Sequence, residues 1–263
     1  MAGCRFLLAS LLIFFLRAVF RQYKAVTRKQ IKNAMIAGTL FLTIGNGGVS
    51  WALQFLDSGF AALLISAQPL VMILMMWMYD KKPLPLKTWI GVVLGILGVY
   101  LLVSQSALVS QQGQVFGLAV VFLCLVGWGI ASIFTSKVDM PKSYFTNSAI
   151  QMLVGGLSLI TISLFIEDLT IDWRGISSTA WYSLAYLVVF GSVIAFTSFN
   201  FLLQHVSPEK VATSTYVNPI VAMILGFYFR NEVITTQSMI ASGILLIGVY
   251  FINMNKPRKL KKL

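Results

Sequence analysis

Gln68-Pro69-Leu70-Val71 lies inside one apolar run, and Asn218-Pro219-Ile220-Val221 lies inside another, 150 positions later. The same offset relates Leu53-Gln54 to Leu203-Gln204, and Gly98-Val99-Tyr100 to Gly248-Val249-Tyr250. Three separated matches at one ungapped offset read as an internal duplication. A repeat of that kind constrains the architecture more strongly than any local motif.

The matches sit in nine apolar segments, at 4–20, 33–55, 58–79, 87–104, 115–136, 144–166, 179–203, 208–229 and 235–254. Each is about as long as the ~17–25 residues that carry a helix across a bilayer core. Across 263 residues the chain is 58% hydrophobic and only 11% charged, with a mean hydropathy of +0.84. A soluble domain carries about a quarter charged residues, so this chain lacks the polar groups to cover a globular surface in water. Inside a bilayer no water satisfies the backbone, and helices supply their own hydrogen bonds. The fold class expected is all-α, a polytopic membrane helical bundle.

The net charge of +12 is distributed by topology. The first loop carries Arg17, Arg21, Lys24, Arg28, Lys29 and Lys32, the third Lys81, Lys82 and Lys87, and the fifth Lys137 and Lys142. The second and fourth loops have no positive residue, and the sixth is acidic through Glu167, Asp168 and Asp172. Positive loops stay in the cytoplasm. The odd loops and the basic tail at 255–263 are therefore expected inside, and nucleic-acid binding is excluded as the reason for the charge. The location expected is the inner (plasma) membrane, multi-pass, with the C-terminus cytoplasmic and the lipid bilayer as partner.

By the same count, the loop after the Gln68-Pro69 helix is cytoplasmic and the loop after the Asn218-Pro219 helix is outside. The two halves are then inverted, a common plan of secondary transporters. Inversion needs an odd number of helices in each half. The second half, 115–254, holds five and the first, 1–104, holds four. The helix matching 115–136 would lie upstream of Met1, so nine helices of an expected ten are present.

Cys4 and Cys124 each lie in an apolar run, and His205 is the one histidine. That set has no metal-ligand or disulfide spacing, and neither metal nor cofactor is expected.

Several stretches together resemble the drug/metabolite transporter superfamily, the EamA-type permeases. They are Arg5-Phe6-Leu7-Leu8 at the opening of the first helix, Asn46 to Leu56 leading into the Gln68-Pro69 helix, Gly127-Trp128-Gly129, Tyr216-Val217-Asn218-Pro219, and the Gly248-Val249-Tyr250 close. The resemblance covers nearly the whole chain. It implies a ten-helix basket with a central cavity, moving small metabolites such as amino acids, often outward. The absent first helix departs from the family pattern.

Pro69 and Pro219 are expected mid-helix, where proline removes a donor and crowds the carbonyl four residues back. Those carbonyls belong to Ile65 and Thr215, which suggests hinge or gating positions. Asn46, Gln68, Gln151, Asn200 and Asn218 are amides in or near apolar runs, and an unpaired buried amide costs a few kcal/mol. Such amides either join helices or meet a solute. Trp51, Trp128, Phe199 and Tyr216 are the aromatics expected near a cavity. The substrate-site candidates are thus Asn46, Trp51, Gln68, Trp128, Asn200, Tyr216 and Asn218. No Asp, Glu, Lys or Arg lies in the middle of a span, so a proton relay through a membrane carboxylate is not expected. Gly91, Gly95 and Gly98 make a small-residue stripe for close helix packing, with a homodimer face as its alternative.

A membrane enzyme would need reactive groups at depth or a long loop, and the sequence offers neither. No catalytic residue is assigned. A non-transporting scaffold, or a paralogue inactivated by the missing helix, is the remaining alternative to a permease.

Overall fold

The structure, a computed structural model, describes residues 1–19, 25–81, 83, 85–104, 113–166, 177–206, 208–212, 221, 225, 228–229 and 235–253. Every described secondary element is helical. Tyr216, Asn218, Pro219, the acidic sixth loop and the basic tail lie outside the described residues. Among the described residues, four helices are long and apolar enough to cross a membrane: Ala2–Val19 (α1), Gln114–Lys137 (α7), Tyr144–Ile166 (α8) and the continuous Ser178–His205. At 1.5 Å per residue the 18 residues of α1 reach about 27 Å, close to the hydrocarbon thickness. Further apolar helices are Leu86–Val103 (α6) and Thr236–Asn253 (α12).

Two expected single helices are divided. The run at 33–55 becomes Arg28–Gly38 (α2), a π-helical segment Thr39–Gly47, and a short Gly48–Ala52 (α3). The run at 58–79 becomes Ser58–Ile65 (α4) and Gln68–Asp80 (α5). The expectation that Pro69 kinks a continuous helix is corrected here. Ser66 and Ala67 form a turn, with Ala67 N–H donating to the Leu64 carbonyl and Leu70 N–H to the Ala67 carbonyl. Pro69 then sits in the first turn of α5, where its missing donor would have had no partner within the helix anyway.

The span Ser178–His205 likewise contains Ser178–Tyr186 (α9), a second π segment Leu187–Ile194, and Ala195–His205 (α10). Both divided spans open in the same way. Thr27 caps α2 with Oγ1 accepting from Gln30 N–H at 3.2 Å, and Ser177 caps α9 with Oγ accepting from Ala180 N–H at 3.3 Å. A hydroxyl at this position satisfies one of the orphan donors of a helix start. A short Pro208–Ala212 (α11) follows α10.

The chain forms two compact units. Unit 1 draws on Met1–Gly47 and Phe134–His205, and unit 2 on the described residues of Gly48–Ile133 and Val206–Leu260. In unit 1, α1 and α8 run antiparallel, because Gly3 meets Gly156 and Ile160 while the Ser10 hydroxyl reaches the Ala149 carbonyl at 2.8 Å. In unit 2, α6 and α12 run antiparallel. Gly98 faces Ala241 and Leu245, and Gly248 faces Gly91 and Gly95. Of the stripe Gly91–Gly95–Gly98, Gly98 thus faces α12, while a Cβ at Gly95 would meet Leu70 of α5. Lipid tails are as apolar as leucine, so close packing of small residues holds such pairs together in place of a hydrophobic driving force.

Candidate functional site

The most concentrated polar chemistry lies in unit 1, between α8 and α10. Asn147, Ser148, Gln151 and Asn200 are all fully buried. Asn147 and Gln151 are one turn apart and share a face of α8. Asn147 Nδ2 donates to Asn200 Oδ1 at 2.9 Å, and Gln151 Nε2 donates to Asn147 Oδ1 at 2.9 Å and to Asn200 Oδ1 at 3.2 Å. Asn200 Nδ2 donates to Ser148 Oγ at 3.1 Å and to the Phe196 carbonyl at 3.3 Å. Each carboxamide both donates and accepts, so the set closes on itself. A buried network satisfied in this way specifies one arrangement of its helices.

Backbone proximity sets the depth of Gln151. A Cβ at Gly38 would lie 2.6 Å from the Gln151 carbonyl oxygen, so α2 meets α8 with no side chain between them. Aromatic rings stand nearby in the same unit: Phe41 meets Phe196 and Phe199 edge-on, with centroids 6.0 and 5.4 Å away. Asn46 bonds within its own π segment, Nδ2 donating to the Phe41 carbonyl at 3.3 Å.

One end of unit 1 is tied by a loop. Gln30 Nε2 donates to Asp139 Oδ2 at 3.1 Å, Asn33 Nδ2 to the Asp139 carbonyl at 2.9 Å, and Gln204 Nε2 to the Pro141 carbonyl at 3.2 Å. The α7–α8 connection is thereby fastened to α2 and to the end of α10.

In unit 2, Gln68 is buried and its Nε2 donates to the Leu125 carbonyl of α7 at 3.2 Å. Trp128 follows one turn later on α7, half-buried, with its carbonyl accepting from Ser132 Oγ at 2.8 Å. Trp51 is 40% exposed and packs edge-on to Phe55 and Phe116 at the ends of α3 and α7.

Of the sequence candidates, Asn46 and Asn200 thus lie in unit 1, and Trp51, Gln68 and Trp128 in unit 2; Tyr216 and Asn218 fall outside the described residues. Asn147 and Ser148 were not anticipated, although the Asn147–Gln151 spacing was an available signal.

The EamA-like transporter family model matches residues 1–104 and 115–254. The chain is 30% identical to "Uncharacterized inner membrane transporter YedA" of Escherichia coli (strain K12) over 258 residues, covering 97% of this chain and 81% of that protein. It is 28% identical to "Protein PecM" of Dickeya dadantii (strain 3937) over 214 residues, covering 79% and 68%. A solved crystal structure at 16% identity superposes with a TM-score of 0.71, covering 96% of this chain and 85% of the other, which shows the likeness of fold.

Proposed function

The chain belongs to the EamA-like transporter family and is a membrane transporter, and from that premise we propose that it is a permease exporting small metabolites such as amino acids by alternating access. The observation that carries this reading is the buried set Asn147–Gln151–Asn200 within spans that are otherwise apolar. Fully buried amides are more than anchorage in lipid requires, and a polar solute is held away from water by trading their mutual hydrogen bonds for bonds to itself. The π segments at Thr39–Gly47 and Leu187–Ile194 support it as well, since π distortions cluster at functional sites.

The antiparallel pairs α1–α8 and α6–α12 support the reading of two inverted repeats, 1–104 and 115–254, and the basic tail supports a cytoplasmic C-terminus. Hinge or gating roles fall to Pro69, at the break between α4 and α5, and to Pro219, its counterpart in sequence.

No span carries a mid-membrane carboxylate, so movement is downhill and uncoupled from protons. Sealed proteoliposomes test this. A labelled solute should move at the same rate with a pH gradient and after a protonophore has removed it. A rate that collapses with the gradient would contradict the uncoupled reading.

A further inference from the structure

The Nε of Arg5 and the hydroxyl of Ser192 are unmatched donors within unit 1. Arg5 is one turn from Ala9 and two from Ile13 on the same face of α1, and Ala9 and Ile13 are buried. α8 is met by Gly3, Leu7 and Ser10 of α1. α1 also packs on the second π segment. An arginine this near a helix end ordinarily snorkels to water. Here the guanidinium carbon lies 4.3 Å from the ring centroid of buried Phe6, and Nε is closed off from solvent. Among the described residues, nothing accepts a hydrogen bond from that Nε, and the Phe6 ring is the group that faces the charge.

The hydroxyls tell the same story. Serines and threonines in apolar helices commonly bond back to the carbonyl one turn earlier, as Thr39, Ser132, Thr161 and Ser242 do here. Thr43, Ser192 and Thr197 lie in or just after the π segments and make no such bond. Ser192 is completely buried, and Thr197 nearly so. A buried polar group without a partner is costly. The unmet groups are a cation and hydroxyls, all of which can donate, and what satisfies donors is an oxyanion.

We propose that Arg5, with Ser192 on the π segment that packs against α1, forms a binding site for the carboxylate of the transported solute. The proposal rests on the permease reading and narrows its substrates to carboxylate-bearing metabolites. A lipid phosphate has the same oxyanion chemistry, so the test must separate the two sources.

The full chain, purified in a phosphate-free maltoside detergent, is titrated with short carboxylates from acetate to octanoate and with their uncharged amides, and thermal unfolding is followed. Acids should raise Tm by several degrees and amides should not. The gain should vanish in Arg5→Gln, survive in part in Arg5→Lys, weaken in Ser192→Ala, and persist in Lys29→Gln. Should Arg5→Gln fail to fold, Arg5→Lys and Ser192→Ala carry the comparison. Equal effects of acid and amide, no effect of any acid, or full retention in Arg5→Gln and Ser192→Ala would overturn the assignment. So would loss of the acid effect once phosphatidylglycerol is added to the micelles, because the lipid would then own the site. Tm measures binding and not movement, so a failure here leaves the permease reading to its own transport assay.

Discussion

Gly98 and Gly248 occupy reciprocal places in one antiparallel contact: Gly98 faces Ala241 and Leu245, and Gly248 faces Gly91 and Gly95, each partner again 150 positions from its counterpart. A two-fold relation between α6 and α12 has this signature. It also makes the two glycines unequal in what they tolerate. A Cβ at Gly248 would meet backbone atoms, the Gly91 carbonyl oxygen and the Gly95 nitrogen, both at 2.8 Å; at Gly98 the nearest atom is the side-chain Cγ of Leu245, at 2.7 Å.

Gly248→Ala should therefore destabilise more than Gly98→Ala, because backbone cannot rotate away. Overpacking of this kind costs about 1–3 kcal/mol. Thermal unfolding of the two variants in detergent reads the difference, and an equal or reversed order would contradict the reciprocal packing.

Asn200→Leu should cost about 1–3 kcal/mol, since it strands buried donors on Asn147 and Gln151 that have no water to turn to. Thr161→Val, which removes an exposed back-bond to the Leu157 carbonyl, should be nearly neutral. A double-mutant cycle between Asn147 and Asn200 should show coupling, and additive single effects would dissolve the network.

Asn33→Ala and Gln204→Ala should each loosen the connection at 138–143 with only about 0.5–1.5 kcal/mol lost globally. Hydrogen exchange at Asp139 and Lys142 should accelerate while exchange inside α8 stays unchanged. Unchanged exchange in the loop would mean these bonds do not hold it.

Much of the fold was legible because its causes are local. Hydrophobic length predicts α8 at 144–166, where the structure places it, and α6 and α12 fall within a residue of expectation. The π segments were hidden because Thr39–Gly47 has the same apolar composition as an α-helix, and the change of hydrogen-bond register leaves no compositional mark. The α4–α5 break was misread as a kink at Pro69. Proline lacks the N–H that would continue a helix through it, and the chain turns at Ser66-Ala67 and restarts with Pro69 in the first turn of α5.

The polar cluster was half visible. Gln151 and Asn200 stood out as amides in apolar runs, but their partnership spans 49 positions and depends on how α8 meets α10. Asn147 and Ser148 sit near the start of their span, where polar residues are ordinary, and only tertiary packing marks them. Arg5 was read as part of a motif at a helix opening; the enclosure of its Nε is a property of the folded unit.

Counterflow in proteoliposomes tests the central claim most directly. Purified chain is loaded with one unlabelled solute at a time from a panel of amino acids, a nucleoside and a lipophilic cation, and entry of the labelled form is followed. The account predicts saturable exchange of at least one carboxylate-bearing solute, strongly reduced in Asn200→Ala. Monodisperse, folded protein that exchanges nothing across the panel, or exchange untouched by Asn200→Ala, would contradict it.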